Sequence, residues 1–294
     1  MLKTGIYVDA ENVRLCGGYG MRYDVLASLG KLGHSVLLRA NSYVVEDELR
    51  VQEDREYRQK VQNYFSILRG CGFKLVKKRI RRFQDADGAI TTKANADMDL
   101  AIDALLQSRN LDRIILVSGD GDFVRLVIAL QNQGCRVEVV GFNNVSNELR
   151  EAADLYISGF LVPGLLPIPG APDEEWFRGT PLNYNPERGF GFFRYHRIVP
   201  EGLAGDTVFF HTSQASGCDP RLFTNPAAIF EFRIRENPNN QNRPEAQEIR
   251  LCCREDGSRP GSNREPLEEG PPTQGQGRQQ VAGPSRPRNI DNID

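Results

Sequence analysis

One short segment, residues 111–123, constrains the fold of this chain more than any other. It reads LDRIILVSGDGDF, and its run IILV is apolar and rich in β-branched residues, which is typical of a strand buried on both faces of a parallel sheet. Residues 118–122 form a glycine-containing turn, and apolar residues then recur at helical spacing as far as Gly134. The segment is therefore predicted to be a strand, an acidic turn and a helix. In open α/β sheets, ligands bind beyond the carboxyl ends of the strands, where this turn lies.

The first half of the chain repeats this alternation. Apolar, β-prone runs predict strands at residues 4–8, 35–45, 73–80, 114–117 and 136–142, and apolar residues at helical spacing predict helices at 22–32, 47–68, 94–107, 123–134 and 146–155. The stretch DAEN after the first strand is predicted to be a turn, and residues 81–90 a loop. Such alternation implies an α/β fold in which helices cover both faces of a parallel sheet.

The pattern changes near Leu161, so the chain is expected to contain two domains and a tail. Residues 161–175 are rich in proline and glycine and are predicted to be a linker after an α/β domain at 1–160. Short strands separated by turn residues predict a small all-β barrel at 176–254. Residues 255–294 are rich in proline, glycine, glutamine and charge, which predicts a disordered tail.

Composition excludes several classes of protein. The formal net charge of −2 gives no overall attraction to nucleic acid, so any such binding must come from local clusters. No apolar run reaches membrane-spanning length and the amino terminus lacks a signal-peptide pattern, so we expect a cytoplasmic protein without a membrane partner. Six cysteines without a C-x-x-C pair, and only three histidines, favour reduced thiols over a disulfide or zinc framework.

Acidic residues mark one end of the predicted sheet. Asp9 ends the first strand, Asp97 begins the third helix, and Asp120 and Asp122 lie in the turn after the fourth strand. If the first and fourth strands are neighbours, these carboxylates meet in one crevice beside Asn12. Clustered carboxylates repel one another, and such oxygen-rich sites are held together by a hard cation such as Mg²⁺ or Mn²⁺. A cation there would acidify a water molecule and neutralise phosphoryl charge, which predicts phosphodiester hydrolysis.

Each acidic residue also has a structural interpretation. Asp122 precedes a helix and can cap it, while Asp97 can offset a helix dipole. Asp103 lies six residues beyond Asp97, about 240° around a helix, so we place it in a second tier of metal ligands. Asp99 is interpreted as structural.

Three motifs of the first half resemble a NYN domain of the LabA-like type, within the PIN-like nuclease superfamily. They are VDAEN at residues 8–12, Lys93 with DMDLAID at 97–103, and LVSGDGDF at 116–123, followed by Leu149 and Asp154. The resemblance covers about residues 1–160. It implies a metal-dependent ribonuclease whose site residues are Asp9, Asn12, Asp97, Asp120 and Asp122.

Aromatic residues alternate along two predicted strands of the second half. In RGFGFF, Phe190 and Phe192 share one face of a strand, and in VFFHTS, Phe209 and His211 do the same. Aromatic rings on the solvent face of a barrel suit base stacking, whereas rings on the inner face form its core. Gly189 and Gly191 leave the opposite face bare of side chains, which favours the stacking interpretation.

These two motifs resemble the nucleic-acid-binding motifs of a cold-shock domain, over about residues 178–249. The resemblance implies an OB-type barrel that binds single-stranded RNA or DNA, with Phe190, Phe192, Phe209 and His211 stacking on bases and Arg188 contacting the backbone. Asn183 and Thr212 stand where this family usually has stacking aromatic residues. In the first half, Arg79, Arg81 and Arg82 follow the third strand and are candidates for phosphate contacts, although a solvated charged face is the alternative.

The leading hypothesis is a divalent-metal-dependent ribonuclease that cleaves single-stranded RNA captured by the barrel. The main alternative is a non-catalytic RNA-binding adaptor, and a phosphatase on the same crevice is the weaker third. Single-stranded DNA is the alternative ligand. The sequence leaves open the oligomeric state, including a homo-oligomer.

Overall fold

The computed structural model describes residues 1–79, 81–84, 90–93, 96–170, 176–215, 217–237 and 243–254. Residues 79, 81–84, 90–93 and 254 are described by their backbone alone. The tail predicted at 255–294 lies outside the described residues.

A six-stranded parallel sheet organises residues 1–170, here called the sheet region. The strands of the first half are β1 (Leu2–Asp9), β2 (Ser35–Glu46), β3 (Lys74–Arg79), β4 (Arg81–Gln84), β5 (Ile90–Lys93), β6 (Arg113–Val117), β7 (Arg136–Gly141) and β8 (Leu155–Ser158). The sheet has the order β3-β2-β1-β6-β7-β8. Strands β1 and β6 are parallel neighbours, with Val8 opposite Val117. The adjacency on which the predicted crevice depends is therefore confirmed.

Helices cover both faces of this sheet, as the alternation predicted. They are α1 (Ala10–Leu15), α2 (Tyr23–Leu29), α3 (Glu48–Glu53), α4 (Arg55–Gly70), α5 (Asp97–Gln107), α6 (Val124–Asn132) and α7 (Asn147–Ala152). On β1, Ile6 and Val8 point into a core with residues of α1, α2 and α4, whereas Tyr7 points into the opposite core with residues of α5, α6 and α7. The period of two along a strand thus divides one strand between two cores.

Four local predictions were wrong. The predicted DAEN turn is the start of α1, capped by Asp9. The predicted helix 47–68 is two helices, because the Asp54 side chain accepts a hydrogen bond from the Tyr57 amide and begins α4 anew. The predicted loop after β3 contains an antiparallel pair, β4 and β5. The end of the predicted helix 146–155 is instead the start of β8, which pairs with β7 at the sheet edge.

The second half forms a closed five-stranded barrel, which confirms the predicted all-β architecture. Its strands are β9 (Trp176–Asn185), β10 (Phe190–Val199), β11 (Gly202–His211), β12 (Ala228–Asn237) and β13 (Arg243–Arg254), in the order β10-β11-β13-β12-β9. Strands β11 and β13 are parallel, and the other pairs of strands are antiparallel. Stacked phenylalanine rings fill the interior; they are Phe193, Phe210, Phe223, Phe230 and Phe232.

The first part of the predicted linker is packed against the core and is no spacer. Val162 and Leu165 are buried in the same core cluster as Ile6 and Val8, and that cluster also takes in Ile229 of the barrel. Burial of these apolar side chains is favourable, whereas a solvated linker would leave them exposed to water. The barrel and the sheet region consequently belong to one compact unit.

Two expectations from composition can be compared with the described residues. All six cysteines are free thiols, as expected, and Cys135 and Cys253 are buried. Within the described ranges, no helix combines the length and apolar character needed to cross a membrane.

A buried ion cluster fastens residues 166–169 to the barrel. The Glu231 carboxylate accepts hydrogen bonds from the guanidinium groups of Arg178 and Arg250, at 2.8 to 3.0 Å. Arg178 also donates to the carbonyl oxygens of Leu166 and Pro167, and Arg250 donates to that of Pro169. The side chains of Glu231 and Arg178 are only 7% and 8% exposed. One carboxylate therefore orients two arginines that hold the connecting segment.

We expect Glu231→Ala to lower the free energy of unfolding by about 3–5 kcal/mol, because it leaves the buried Arg178 without its counter-charge. The matched control is Arg197→Ala, which breaks the exposed ion pair with Asp206 and should cost about 1 kcal/mol or less. Urea denaturation of both variants measures the difference. Equal losses would show that the Glu231 cluster contributes no more than a surface pair.

Candidate functional site

Asp9 and the turn that holds Asp120 lie at the carboxyl ends of the neighbouring strands β1 and β6, where the sequence predicted an acidic crevice. Asp9 is the last residue of β1 and also the N-cap of α1, where its Oδ1 atom accepts a hydrogen bond from the Asn12 amide at 3.1 Å. Asp9 is only 7% exposed. A carboxylate that caps a helix from the end of a central strand is thus held in a fixed position.

The turn after β6 is fastened to Asp9 and Asn12 by hydrogen bonds. The Ser118 hydroxyl donates to Asp9 Oδ2 at 3.1 Å and accepts from the Asp120 amide at 3.2 Å. The Asn12 Oδ1 atom accepts from the Gly119 amide at 2.8 Å. Ser118 was missed by the sequence analysis, although its place directly after a buried strand, beside the acidic turn, could have marked it. The two strand ends therefore form one hydrogen-bonded unit.

The electrostatics of the crevice centre on Asp9. Burial, the largest cause, and the nearby charges of Asp97 and Asp120 together raise the pKa of its carboxyl group to about 6, against hydrogen bonds from Asn12 and Ser118 that lower it. The same two effects, burial and the charges of Asp9 and Asp120, raise the pKa of the Cys16 thiol. Asp97 and Asp120 are therefore each close enough to Asp9 to disfavour its ionised form.

The other predicted acidic residues lie differently. Asp120 caps the short 3₁₀ helix Gly121–Phe123 by accepting from the Asp122 amide, so the capping role expected of Asp122 belongs to Asp120. Asp122 itself is exposed. Asp103 Oδ2 accepts a hydrogen bond from the Tyr43 hydroxyl at 2.9 Å, and Asp99 pairs with Lys78 at 2.8 Å, in agreement with the structural interpretation of Asp99.

The chemistry of these side chains shows whether they suit a divalent cation. Asp9, Asp97 and Asp120 offer the hard oxygen atoms that Mg²⁺ and Mn²⁺ prefer, and the charges of Asp97 and Asp120 both act on the buried Asp9 carboxyl group. Among the described residues, no three acidic, histidine or cysteine side chains are already drawn together as a ligand set. Mg²⁺ commonly binds through one or two carboxylates and keeps several waters, so the residues fit a cation held in that way.

Aromatic side chains gather on the outer surface of the barrel. Phe190 and Phe192 of β10 and Phe209 of β11 are half-buried, while the alternate residues Phe193 and Phe210 are fully buried inside. The ring of Phe209 lies 5.7 Å, centroid to centroid, from the rings of both Phe190 and Phe192. We call the surface formed by Phe190, Phe192, Phe209 and His211 the aromatic face.

Glycine has a different part in this strand from the one expected. The inner side at Gly191 is not bare, because a Cβ atom there would lie 2.2 Å from the Asn183 carbonyl oxygen and 2.8 Å from the Phe210 ring. Glycine thus makes room for the core ring that packs beneath the aromatic face.

The polar neighbours of the aromatic face are also fixed. The Asn183 side chain accepts from the Phe192 amide at 3.1 Å, and the Thr212 hydroxyl donates to the Gly189 carbonyl at 3.0 Å. The His211 Nδ1 atom lies 2.8 Å from the Ser213 hydroxyl. Asn183 and Thr212 therefore form hydrogen bonds with the backbone near the start of β10.

Basic residues complete the set of predicted nucleic-acid contacts. Arg188 is exposed beside the aromatic face. Arg194 is exposed on the outer side of the same strand and was missed, although the period of two that led to Phe190 and Phe192 continues to it. The side chains of Arg79, Arg81 and Arg82 lie outside the described part of the structure.

Comparisons with known proteins relate the chain to a domain family, a curated relative and a solved structure. The chain is 33% identical over 89 residues to the Low amplitude and bright protein LabA of Synechococcus elongatus, an alignment that covers 29% of this chain and 48% of that relative. The chain thus spans about half the length of this curated relative. A crystal structure of a protein of unknown function from Vibrio parahaemolyticus is 29% identical with a TM-score of 0.43, covering 53% of this chain and 92% of that one. The NYN domain matches residues 3–165, more than half of the chain, and the chain belongs to the NYN domain family.

Proposed function

We propose that the chain is a divalent-metal-dependent ribonuclease that hydrolyses phosphodiester bonds of single-stranded RNA. The observation that carries this proposal is the position of Asp9 at the carboxyl end of β1, joined through the Ser118 hydroxyl to the turn that holds Asp120, with Asp97 close enough to raise the pKa of Asp9. The NYN domain family is a PIN-like nuclease family, and its match to residues 3–165 supports the same reaction class.

The proposed roles follow from the contacts of each residue. Asp9, Asp97 and Asp120 would hold Mg²⁺ or Mn²⁺, which when bound acidifies a water molecule and neutralises phosphoryl charge. Ser118 orients the Asp9 carboxylate, and Asn12 holds the turn against β1. Asp122, exposed at the rim, faces solvent where substrate would enter. We leave Asp103 out of the ligand set, because its carboxylate already binds the Tyr43 hydroxyl.

The barrel is proposed to capture the substrate as a cold-shock-like OB domain. Five strands in a closed barrel and aromatic rings on the outer side of β10 and β11 support this assignment, since base stacking on such rings binds single strands with little dependence on sequence. Single-stranded DNA offers the same π-faces and is the alternative ligand. We propose that the predicted domains at 1–160 and 176–254 are the two functional parts, with Val162 and Leu165 completing the core of the first.

The position of the aromatic face bears on which substrates benefit. The tip of the β10–β11 hairpin contacts the loop before β2, where the Gly33 amide donates to the Pro200 carbonyl at 2.9 Å. That loop lies at the amino end of β2, away from the acidic crevice at the carboxyl ends. Phe190 lies at the other end of β10, about 30 Å from the tip at about 3.3 Å per residue. We propose that capture by the barrel benefits only strands long enough to contact the aromatic face and the acidic residues at once, and so favours long single strands over short ones.

The direct test is a cleavage assay of single-stranded and duplex RNA and DNA with Mg²⁺, Mn²⁺ or EDTA. The control is Asp120→Asn, which keeps an oxygen acceptor for the helix cap but removes a charge. We expect the wild type to cleave single-stranded RNA when Mg²⁺ or Mn²⁺ is present, and Asp120→Asn not to cleave it. Binding without cleavage under every condition would favour the adaptor, and phosphate release from mononucleotides would favour the phosphatase.

Asp9→Asn should abolish cation-dependent cleavage while binding of single-stranded RNA stays within about twofold, because the change removes a proposed metal ligand and leaves the aromatic face intact. The matched control is Asp99→Asn, the same chemical change at a residue paired with Lys78. Cleavage rate and binding are measured for both variants. Full activity of Asp9→Asn would remove Asp9 from the proposed site.

The same variant should be more stable than the wild type without metal. The folded-state pKa of Asp9 is raised to about 6, so ionisation of Asp9 destabilises the folded state as pH rises through that value. Asparagine carries no charge, and its amide can donate to Ser118. Thermal melts in EDTA should show no difference near pH 4 and a gain of about 1–3 kcal/mol at pH 8, from about 1.4 kcal/mol per pKa unit. A loss of stability at pH 8 would make Asp9 a structural anion.

Replacing Phe190 and Phe192 together by alanine should remove about 2–6 kcal/mol of RNA binding, at about 1–3 kcal/mol per stacked base. The loss should appear mainly in KM, because stacking far from the scissile bond stabilises ground state and transition state alike. The control is Leu182→Ala, which removes an apolar side chain that is 51% exposed on β9. Unchanged binding of the double variant would place the RNA elsewhere.

A further inference from the structure

The outer side of β10 continues beyond the aromatic face. Phe193 and Tyr195 point into the barrel, so Arg194 between them points outward, next in line after Phe190 and Phe192. With Arg188 at the other end, an exposed arginine flanks the two phenylalanines on each side. Aromatic and cationic side chains in one row match the alternating bases and phosphates of a single strand.

The surroundings of Arg194 leave room for a ligand. Its neighbour on β11 is Thr207, which is also exposed, and two pairs further along is Gly205, around whose Cβ position there are no atoms within 4 Å. The strand next to the arginine thus carries small side chains, which gives a phosphate group access to the guanidinium.

The charge of Arg194 is not neutralised by a described residue. No ion pair joins it to an acidic side chain in the described part of the chain, whereas Arg197, on the same strand, pairs with Asp206 at 2.6 Å. Burial lowers the pKa of His196, and the positive charge of Arg194 lowers it further. An exposed, uncompensated guanidinium is a ready partner for an anion.

We infer that Arg194 forms a phosphate-binding subsite that extends the aromatic face by one nucleotide toward the hairpin tip. This inference rests on the proposed capture of a single strand by the barrel. Two residues along a strand span about 6.6 Å at about 3.3 Å per residue, which is the scale of one nucleotide of an extended chain. The ligand is the sugar–phosphate backbone, so the subsite contributes affinity without base preference.

Salt dependence of binding tests the subsite, because each neutralised phosphate of a single strand contributes about 0.7 to the slope of log K against log salt concentration. Binding of a fluorescent oligouridylate to the full chain is measured in EDTA at several salt concentrations. Arg194→Ala should lower the slope by about 0.7, and Arg194→Lys should keep it. The matched control Arg197→Ala removes the same charge from a paired side chain and should leave the slope unchanged.

The outcomes separate this inference from the proposed function. If the wild type binds and the Phe190/Phe192 double variant loses binding, but Arg194→Ala keeps the full slope, the subsite is wrong and capture by stacking stands. If Arg197→Ala lowers the slope as much as Arg194→Ala, the effect is general surface charge and the subsite is again wrong. If the wild type does not bind the oligonucleotide, the proposed function of the barrel fails together with the subsite.

Discussion

The pairing of β1 with β6 is the constraint on which the candidate site depends. It places Asp9 beside the turn after β6, and the bonds from Ser118 to Asp9 and from Gly119 to Asn12 fix the two strand ends together. This cross-link fixes the position of the Asp9 carboxylate relative to Asp120, because the Ser118 hydroxyl bonds to both the Asp9 side chain and the Asp120 amide. This arrangement buries the Asp9 carboxyl group near Asp97 and Asp120, which disfavours its ionised form and raises its pKa.

The barrel depends on a different device, a phenylalanine core beneath its aromatic face. Phe193 and Phe210 stack inside at a centroid distance of 4.1 Å, so the backbone that carries Phe190, Phe192 and Phe209 rests on a packed layer. The outer rings also contact one another, since Phe209 packs against both Phe190 and Phe192. A rigid stacking surface loses less conformational entropy on binding than a mobile one.

Much of the fold could be predicted from the sequence, because the deciding signals are local. The apolar run at Ile114–Val117 predicted the strand that ends at the acidic turn, while the approach of this turn to Asp9 depended on the assumption that β1 and β6 are neighbours. Alternation in RGFGFF predicted that Phe190 and Phe192 share one face. The misses arose where a side chain or a tertiary contact decides: Asp54 divides a helix through one hydrogen bond, and Gly191 serves a ring from the neighbouring strand. Whether Asp120 or Asp122 caps the turn depends on backbone angles that the letters do not reveal.

Residues 162–169 contact both the sheet core and the barrel, so cutting the chain between the two halves would disrupt both. Leu165 and Val162 are buried with the sheet core, and the carbonyls of Leu166, Pro167 and Pro169 are bound by arginines of the barrel. A fragment ending at residue 160 would expose apolar surface that the intact chain covers, and a barrel fragment would carry Arg178 and Arg250 stripped of those carbonyl acceptors. Each half therefore contributes contacts that stabilise the other, and a truncated fragment would lack contacts that its half makes in the full chain. Point substitutions in the full chain are the sound way to assign roles to each.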